Sequence, residues 1–306
     1  MSINIAILDY PQSLKSALHG LFEIFTMANQ VAAEQHLSYR FNPQIIDAGN
    51  ADFPVAKNFD LLLLPPSNDG DYYLAPSAHL LDWLRLQHSA GAVLGAACAG
   101  TFILAASGLL KGKSATTHWG LEAIFRQQYP LVHLSIDKIV INSGDLITAG
   151  GMLSWLDLAL EIVAQFSQPS VMRQLGKILV VDTGLREQRF YQQFNPIFNH
   201  GDQAILNIQQ HLPTCLEHKI SVSELARHSC LTDRTFLRRF VQATTLKPVQ
   251  YIHRLRIQRA CDLLETTRHP FDWVANQVGF EDPGACRKIF VRIMGLTPSE
   301  FRKRFK

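Results

Sequence analysis

Along the first half of the chain, apolar residues fall in short, nearly continuous runs separated by stretches of helical spacing. INIAIL (3–8), FNPQIID (41–47), DLLLLPP (60–66) and AVLGAAC (92–98) read as strands, and Leu14–Asn29 and Ala78–His88 read as helices. Runs this apolar suit parallel strands covered on both faces, so residues 1–168 are expected to form an α/β parallel-sheet sandwich. KIVINSGDLITAGG (138–151) predicts a hairpin turning at Ser143–Gly144–Asp145, and a helix over Leu153–Phe166 closes the domain before Gln168–Pro169. Residues 169–200 carry mixed signals and read as an interdomain segment. Residues 201–306 read as an all-α domain built from short helices.

Within that domain one plan occurs twice. Ser221-Val-Ser-Glu224 has the spacing of a capping box, which starts a helix over Val222–His228. After the turn SCLT (229–232) a second helix begins at Asp233. Phe236 and Phe240, four apart, share its inner face, which leaves Arg234, Arg238 and Arg239 on the others. Phe271–Val278, the turn Gly279–Asp282 and a helix from Pro283 bearing Arg287 and Lys288 repeat the arrangement. Val249–Glu265 reads as a connecting helix with Leu255, Ala260, Leu263 and Leu264 as its apolar stripe, long enough to hold two recognition helices in successive major grooves. A helical bundle with a basic surface is the alternative for one such unit; two spaced units are far more specific.

Charge sharpens this picture. Residues 201–306 hold 17 Lys+Arg against 10 Asp+Glu, and 1–200 hold 12 against 16, under an overall charge of +3. Twelve of the basic residues in the last part are arginines, the side chain suited to phosphate and guanine. The 47% hydrophobic share fits an ordinary globular core. Five cysteines without a CxxC pair or zinc-like His/Cys spacing suit a reducing cytoplasm and suggest neither a structural metal nor a cofactor. MSINIAILDY has no basic n-region and reads as no signal peptide. Nineteen uncharged residues between Gly91 and Lys111 approach the length of a membrane span. Gly95, Gly100 and Gly108 interrupt them, so a buried strand, tight turn and buried helix are expected instead, with no membrane association.

The segment TDRTFLRRF…KPVQYIHRLRIQRACDLLETT…VANQVGFEDPGACRKIF…GLTPSEFRKRF resembles the DNA-binding domain of AraC/XylS-type regulators over about 100 residues. The resemblance implies base-facing roles for Arg234, Leu237 and Arg238 in the first unit, with Arg239 beside them. It implies the same for Pro283, Gly284, Arg287 and Lys288 in the second. Cys286 stands where a large apolar residue is usual, and Gly284 where a polar contact residue is common.

Cys98, in GAACAGTF, follows an apolar strand and precedes the expected helix Thr101–Ala106. Small neighbours allow a sharp strand-to-helix turn of the nucleophile-elbow kind. A small buried apolar cysteine fits the same residues. Around this turn the chain resembles PfpI-like, class I glutamine amidotransferase-like domains, through LFEIFTMAN (21–29), DLLLLPP (60–66), GLLKGKSATTHW (108–119) and TAGGMLSWLDLALEIV (148–163). That implies a flavodoxin-like fold with Cys98, Ser67, Asn68, His118, Trp119 and Gly151 lining a ligand site at the carboxyl ends of the strands. The catalytic equipment is depleted. No histidine occurs in 148–168, Ala99 stands where PfpI-type peptidases carry histidine, and Ala17 where they carry a helper glutamate. Pro66-Ser67 replaces the Gly-Gly whose N–H groups hold an oxyanion. His118 fits either a partial dyad with Cys98 or a structural role, and Trp119 either a core position or cation–π contact.

A PfpI-like domain followed by an AraC-type domain is the arrangement of GlxA-type regulators. The expectation is therefore a transcription regulator, not an enzyme, acting as a homodimer on double-stranded promoter DNA. Its resemblance implies a small effector such as an amino acid or quaternary amine, bound in a retired active site. A cysteine-dependent amidase or peptidase, or a redox sensor, fused to a DNA-binding domain is the alternative.

Overall fold

The computed structural model describes residues 2–49, 58–68, 70–184 and 186–306. The chain divides into two compact units, Met1–Gln188 and Arg189–Lys306.

In the first unit, β1 (Ser2–Asp9), β2 (Arg40–Asp47), β3 (Leu61–Leu64) and β4 (Val93–Ala97) pair in parallel. β5 (Ser114–Ala115) and β6 (His133–Leu134) form a separate small pair. β7 (Val140–Asn142) and β8 (Leu146–Ala149) are the expected hairpin, and β8 joins β4 in parallel. The sheet order is β2-β1-β3-β4-β8-β7, so the chain reverses its direction of travel between β1 and β3. Alternate side chains enter opposite cores, as strand geometry requires. Ile3, Ile5, Ile7, Leu61 and Leu63 pack with α1 (Lys15–Glu34), α5 (Trp155–Phe166) and α6 (Pro169–Leu179). Ala6, Leu8, Leu62 and Leu64 pack with α2 (Ala78–Ser89), α3 (Gly100–Ala106) and α4 (Glu122–Gln128). This is the flavodoxin-like sandwich. The uncharged stretch after Gly91 is indeed a buried strand, turn and helix. Among the described residues no helix is long and apolar enough to cross a membrane.

The interdomain segment expected at 169–200 is divided by the fold. Val171 and Leu175 of α6 are completely buried in the core shared with α1 and α5, so residues through Gln188 belong to the first unit. The sequence hides this because α6 is short and polar on its outer face.

The second unit contains α7 (Gln203–His211), α8 (Val222–His228), α9 (Asp233–Thr244), α10 (Pro248–Thr266), α11 (Phe271–Gln277), α12 (Pro283–Met294) and α13 (Pro298–Phe305). The capping box at Ser221 and Glu224 is formed in full. Two cores result. Phe236, Phe240, Tyr251 and Ile252 belong to the first, and Ile257, Ala260, Cys261, Leu264, Cys286 and Phe290 to the second. α10 thus anchors one half in each core. Its buried stripe is Ile252, Arg256, Ala260 and Leu264 with Ile257 and Cys261; the expected Leu255 and Leu263 lie half-buried at its border. The displaced stripe includes an arginine, which apolar periodicity cannot reveal. The Arg256 guanidinium donates to the His218 carbonyl at 2.8 Å and lies over the Phe280 ring at 5.3 Å.

Candidate effector site and nucleic-acid interface

The residues following β1, β3, β4 and β8 converge at one edge of the sheet, where open α/β sheets bind ligands. Cys98 follows β4 directly with φ +54°, a left-handed conformation that non-glycine residues adopt at a cost of about 1–3 kcal/mol. Its N–H donates to the Ala149 carbonyl at 2.8 Å, which extends the β4–β8 ladder by one rung before the chain breaks into α3. Gly100 is obligatory here, because a Cβ would stand 2.5 Å from the Leu64 carbonyl oxygen. The elbow expected from small residues is real.

Its chemistry is muted. Cys98 is 2% exposed, and burial pushes its thiol up to about 12, with the Ala99 N–H pulling weakly the other way. Burial also raises the Tyr10 and Tyr73 phenols, both of which feel the Cys98 sulfur. His118 is half-buried and its pKa is lowered by burial, so its imidazole is neutral at pH 7. The groups gathered here are neutral hydrogen-bonding groups beside apolar rings. The Thr101 hydroxyl is buried at the elbow without a hydrogen-bond partner, a state that costs about 1–3 kcal/mol.

The expected site residues are distributed unevenly. Thr117 Oγ1 donates to the Cys98 carbonyl at 2.7 Å, which fastens the segment carrying His118 and Trp119 to the elbow. His118 Nδ1 accepts from the Gly120 N–H at 3.0 Å, and its ring lies 5.1 Å from that of Trp119. Trp119 is half-buried against the core that the sheet shares with α2, α3 and α4. Gly151 follows β8 with φ +91°. Ser67 is buried with its hydroxyl donating to the Gln12 carbonyl at 3.0 Å, and Asn68 is exposed with its N–H on the same carbonyl. These two are held by the loop after β1.

Four residues here escaped the sequence reading: Tyr10, Thr101, Thr117 and Gln188. Gln188 is 3% exposed, and its amide Nε2 donates to the Thr117 carbonyl at 2.8 Å and lies 3.1 Å from both Thr116 Oγ1 and the Lys138 carbonyl. Its Oε1 accepts from the Trp119 N–H at 3.3 Å. Gly150 makes room, since a Cβ there would lie 2.2 Å from that amide nitrogen. Gln188 therefore closes the chain Cys98–Thr117–Gln188 from a segment with no readable motif.

In the second unit α9 and α12 present matching faces fifty residues apart. Phe236 and Phe240 are buried as are Cys286 and Phe290, whereas Leu237 and Arg238 are exposed as are Arg287 and Lys288. Val241 and Val291, 40% and 38% exposed, extend both faces by one turn. Arg234 is exposed near the start of α9. Pro283 opens α12, and Asp282 caps it through the N–H groups of Gly284 (2.8 Å) and Ala285 (3.1 Å). The Arg287 guanidinium lies over Phe271 at 5.5 Å. Arg239 departs from the expectation of a DNA contact: its guanidinium forms two bonds with Asp202 at the start of α7, so it serves the fold.

Residues 29–165 match the DJ-1/PfpI family and residues 225–304 match the helix-turn-helix domain. The chain is 27% identical over 263 residues to the HTH-type transcriptional regulator CdhR of Pseudomonas aeruginosa, covering 85% of this chain and 77% of that protein. It is 23% identical over 223 residues to the HTH-type transcriptional regulator GlxA of Rhizobium meliloti, covering 72% and 68%. A crystal structure described as a transcriptional regulator protein from Vibrio parahaemolyticus aligns with 58% of this chain and 100% of its own, with a TM-score of 0.50 at 19% identity, a likeness of fold. The chain thus joins a DJ-1/PfpI domain to an AraC-type helix-turn-helix domain, and its relatives CdhR and GlxA are HTH-type transcriptional regulators.

Proposed function

We propose that the first unit is a non-catalytic receptor whose small-molecule occupancy controls promoter binding by the second. The observation that carries this reading is the state of Cys98: the strained elbow persists, but the thiol is shielded and neutral. A nucleophile needs a thiolate or an adjacent base, and the tyrosines, Thr101 and Thr117 around this one supply neither. They suit recognition by hydrogen bonding and apolar contact, with Trp119 and His118 as one wall. On the DNA side, Arg234, Leu237 and Arg238 of α9 and Gly284, Arg287 and Lys288 of α12 reach base edges and phosphates. Val241 and Val291 fit contact with thymine methyl groups.

The test is a thermal-shift screen of the full chain against amino acids and quaternary amines. A ligand that binds only the folded protein raises its melting temperature. The active compound should leave the screen chemically unchanged, and Cys98→Ser should retain the shift while Trp119→Ala diminishes it. Turnover of amides abolished by Cys98→Ser would instead establish the enzyme reading.

A further inference from the structure

The linear sequence holds no histidine–cysteine motif with zinc spacing, yet the fold of the second unit gathers histidines from separate segments. The end of α7, the loop after it and α8 border an open groove of about 520 Å³ whose lining includes His211, Cys215, His218, Glu224, Arg227 and His228. His211 is the last residue of α7 and His228 the last of α8. Their rings stand 5.7 Å apart between centroids, with planes inclined by 32°.

We propose that His211 and His228 together bind one divalent transition-metal ion of the zinc, nickel or copper type. Imidazole is a ligand common to these ions. A ligating nitrogen sits about 2.0–2.1 Å from zinc, which sets two coordinating rings roughly 5–6 Å apart between centres at a near-tetrahedral angle. The observed separation lies in that range. Glu224 also lines the groove, its carboxylate accepting from the Ser221 N–H at the start of α8. Arg227 and Lys219 oppose a cation, but both are exposed side chains whose charges solvent screens. Among the described residues no group of three His, Cys, Asp or Glu side chains could hold an ion. The Cys215 sulfur points to the carbonyls of His211 and Leu212, at 3.7 and 3.5 Å. The site is accordingly a two-histidine bridge between α7 and α8, with water completing the coordination shell.

Calorimetric titration of Zn²⁺ into the metal-free full chain tests the assignment, with circular dichroism confirming that each variant is folded. One ion per chain is expected at this site. His211→Ala and His228→Ala should each weaken it about tenfold or more, as should the milder His211→Gln and His228→Gln. His218→Ala, which removes another imidazole from the lining of the groove, should leave it within about twofold. Absence of zinc binding, binding unaltered by the His211 and His228 variants, or an equal loss in His218→Ala would each overturn the proposal.

Discussion

Arg239 and Asp202 are joined by two parallel hydrogen bonds, Nε to Oδ2 at 2.8 Å and Nη2 to Oδ1 at 2.6 Å. This fork withdraws an arginine from the basic face of α9 and ties the start of α7 to that helix. The Asp202 carboxylate also accepts from the Ile205 N–H, capping α7.

Asp202→Ala should therefore destabilise the second unit by about 0.5–2 kcal/mol from the cap alone, read as a lowered melting transition. The Arg239 guanidinium, hydrogen-bonded to it, holds the Asp202 carboxyl below the usual carboxylate range. A group so depressed stabilises the fold above its unfolded pKa, and the contribution disappears as pH falls through the folded value. The gap between wild type and Asp202→Ala should narrow below about pH 4.

Arg238→Ala and Arg239→Ala should separate base reading from scaffolding. The first should cost about 1–3 kcal/mol on the cognate site and relax preference at one base position. The second should lower thermal stability and weaken all sequences alike. Competition binding against single-base variants of the site distinguishes them.

Thiol reactivity should divide by burial. Cys230 is exposed and Cys215 half-buried, whereas Cys98, Cys261 and Cys286 are buried. Native protein should titrate as one fast and one slower thiol at neutral pH, with Cys98 silent until denaturant is added. With its pKa pushed up to about 12, Cys98 stabilises the fold fully below its unfolded pKa of about 9. That contribution is lost as pH rises from there through the folded value. Rapid labelling of Cys98 in the native chain at neutral pH would contradict the receptor reading.

A fragment ending at residue 168 should aggregate, and one ending at residue 188 should fold. The shorter one exposes the surface that buries Val171 and Leu175, at about 1.5–3 kcal/mol for each side chain. It also lacks the Gln188 amide. In the full chain Gln188→Ala strands the carbonyls of Thr117 and Lys138, which should cost about 1–3 kcal/mol and alter Trp119 fluorescence.

These residues also mark where the sequence was legible. β1, β3 and β4 were readable because strands buried on both faces are apolar throughout, and the elbow because only small residues permit it. The paired recognition helices were readable from the four-residue spacing of Phe236 and Phe240 and its echo around Phe290. Gln188, Tyr10 and Thr117 were not, because polar residues that complete one another across 71 positions, as Gln188 and Thr117 do, leave no periodic trace. Arg239 was misread for a related reason: its partner lies 37 residues away, on another helix.

The central claim is that two separate helices, α9 and α12, read DNA together under control of the first unit. α10, at 19 residues, spans about 28 Å at 1.5 Å per residue, against about 34 Å between successive major grooves. Methylation-interference mapping of the full chain on its promoter, with Arg238→Ala and Lys288→Ala as companions, tests this most directly. The account predicts two contacted major-groove patches about 10 base pairs apart, one lost with each variant. A single patch, or both patches lost together with either substitution, would contradict it.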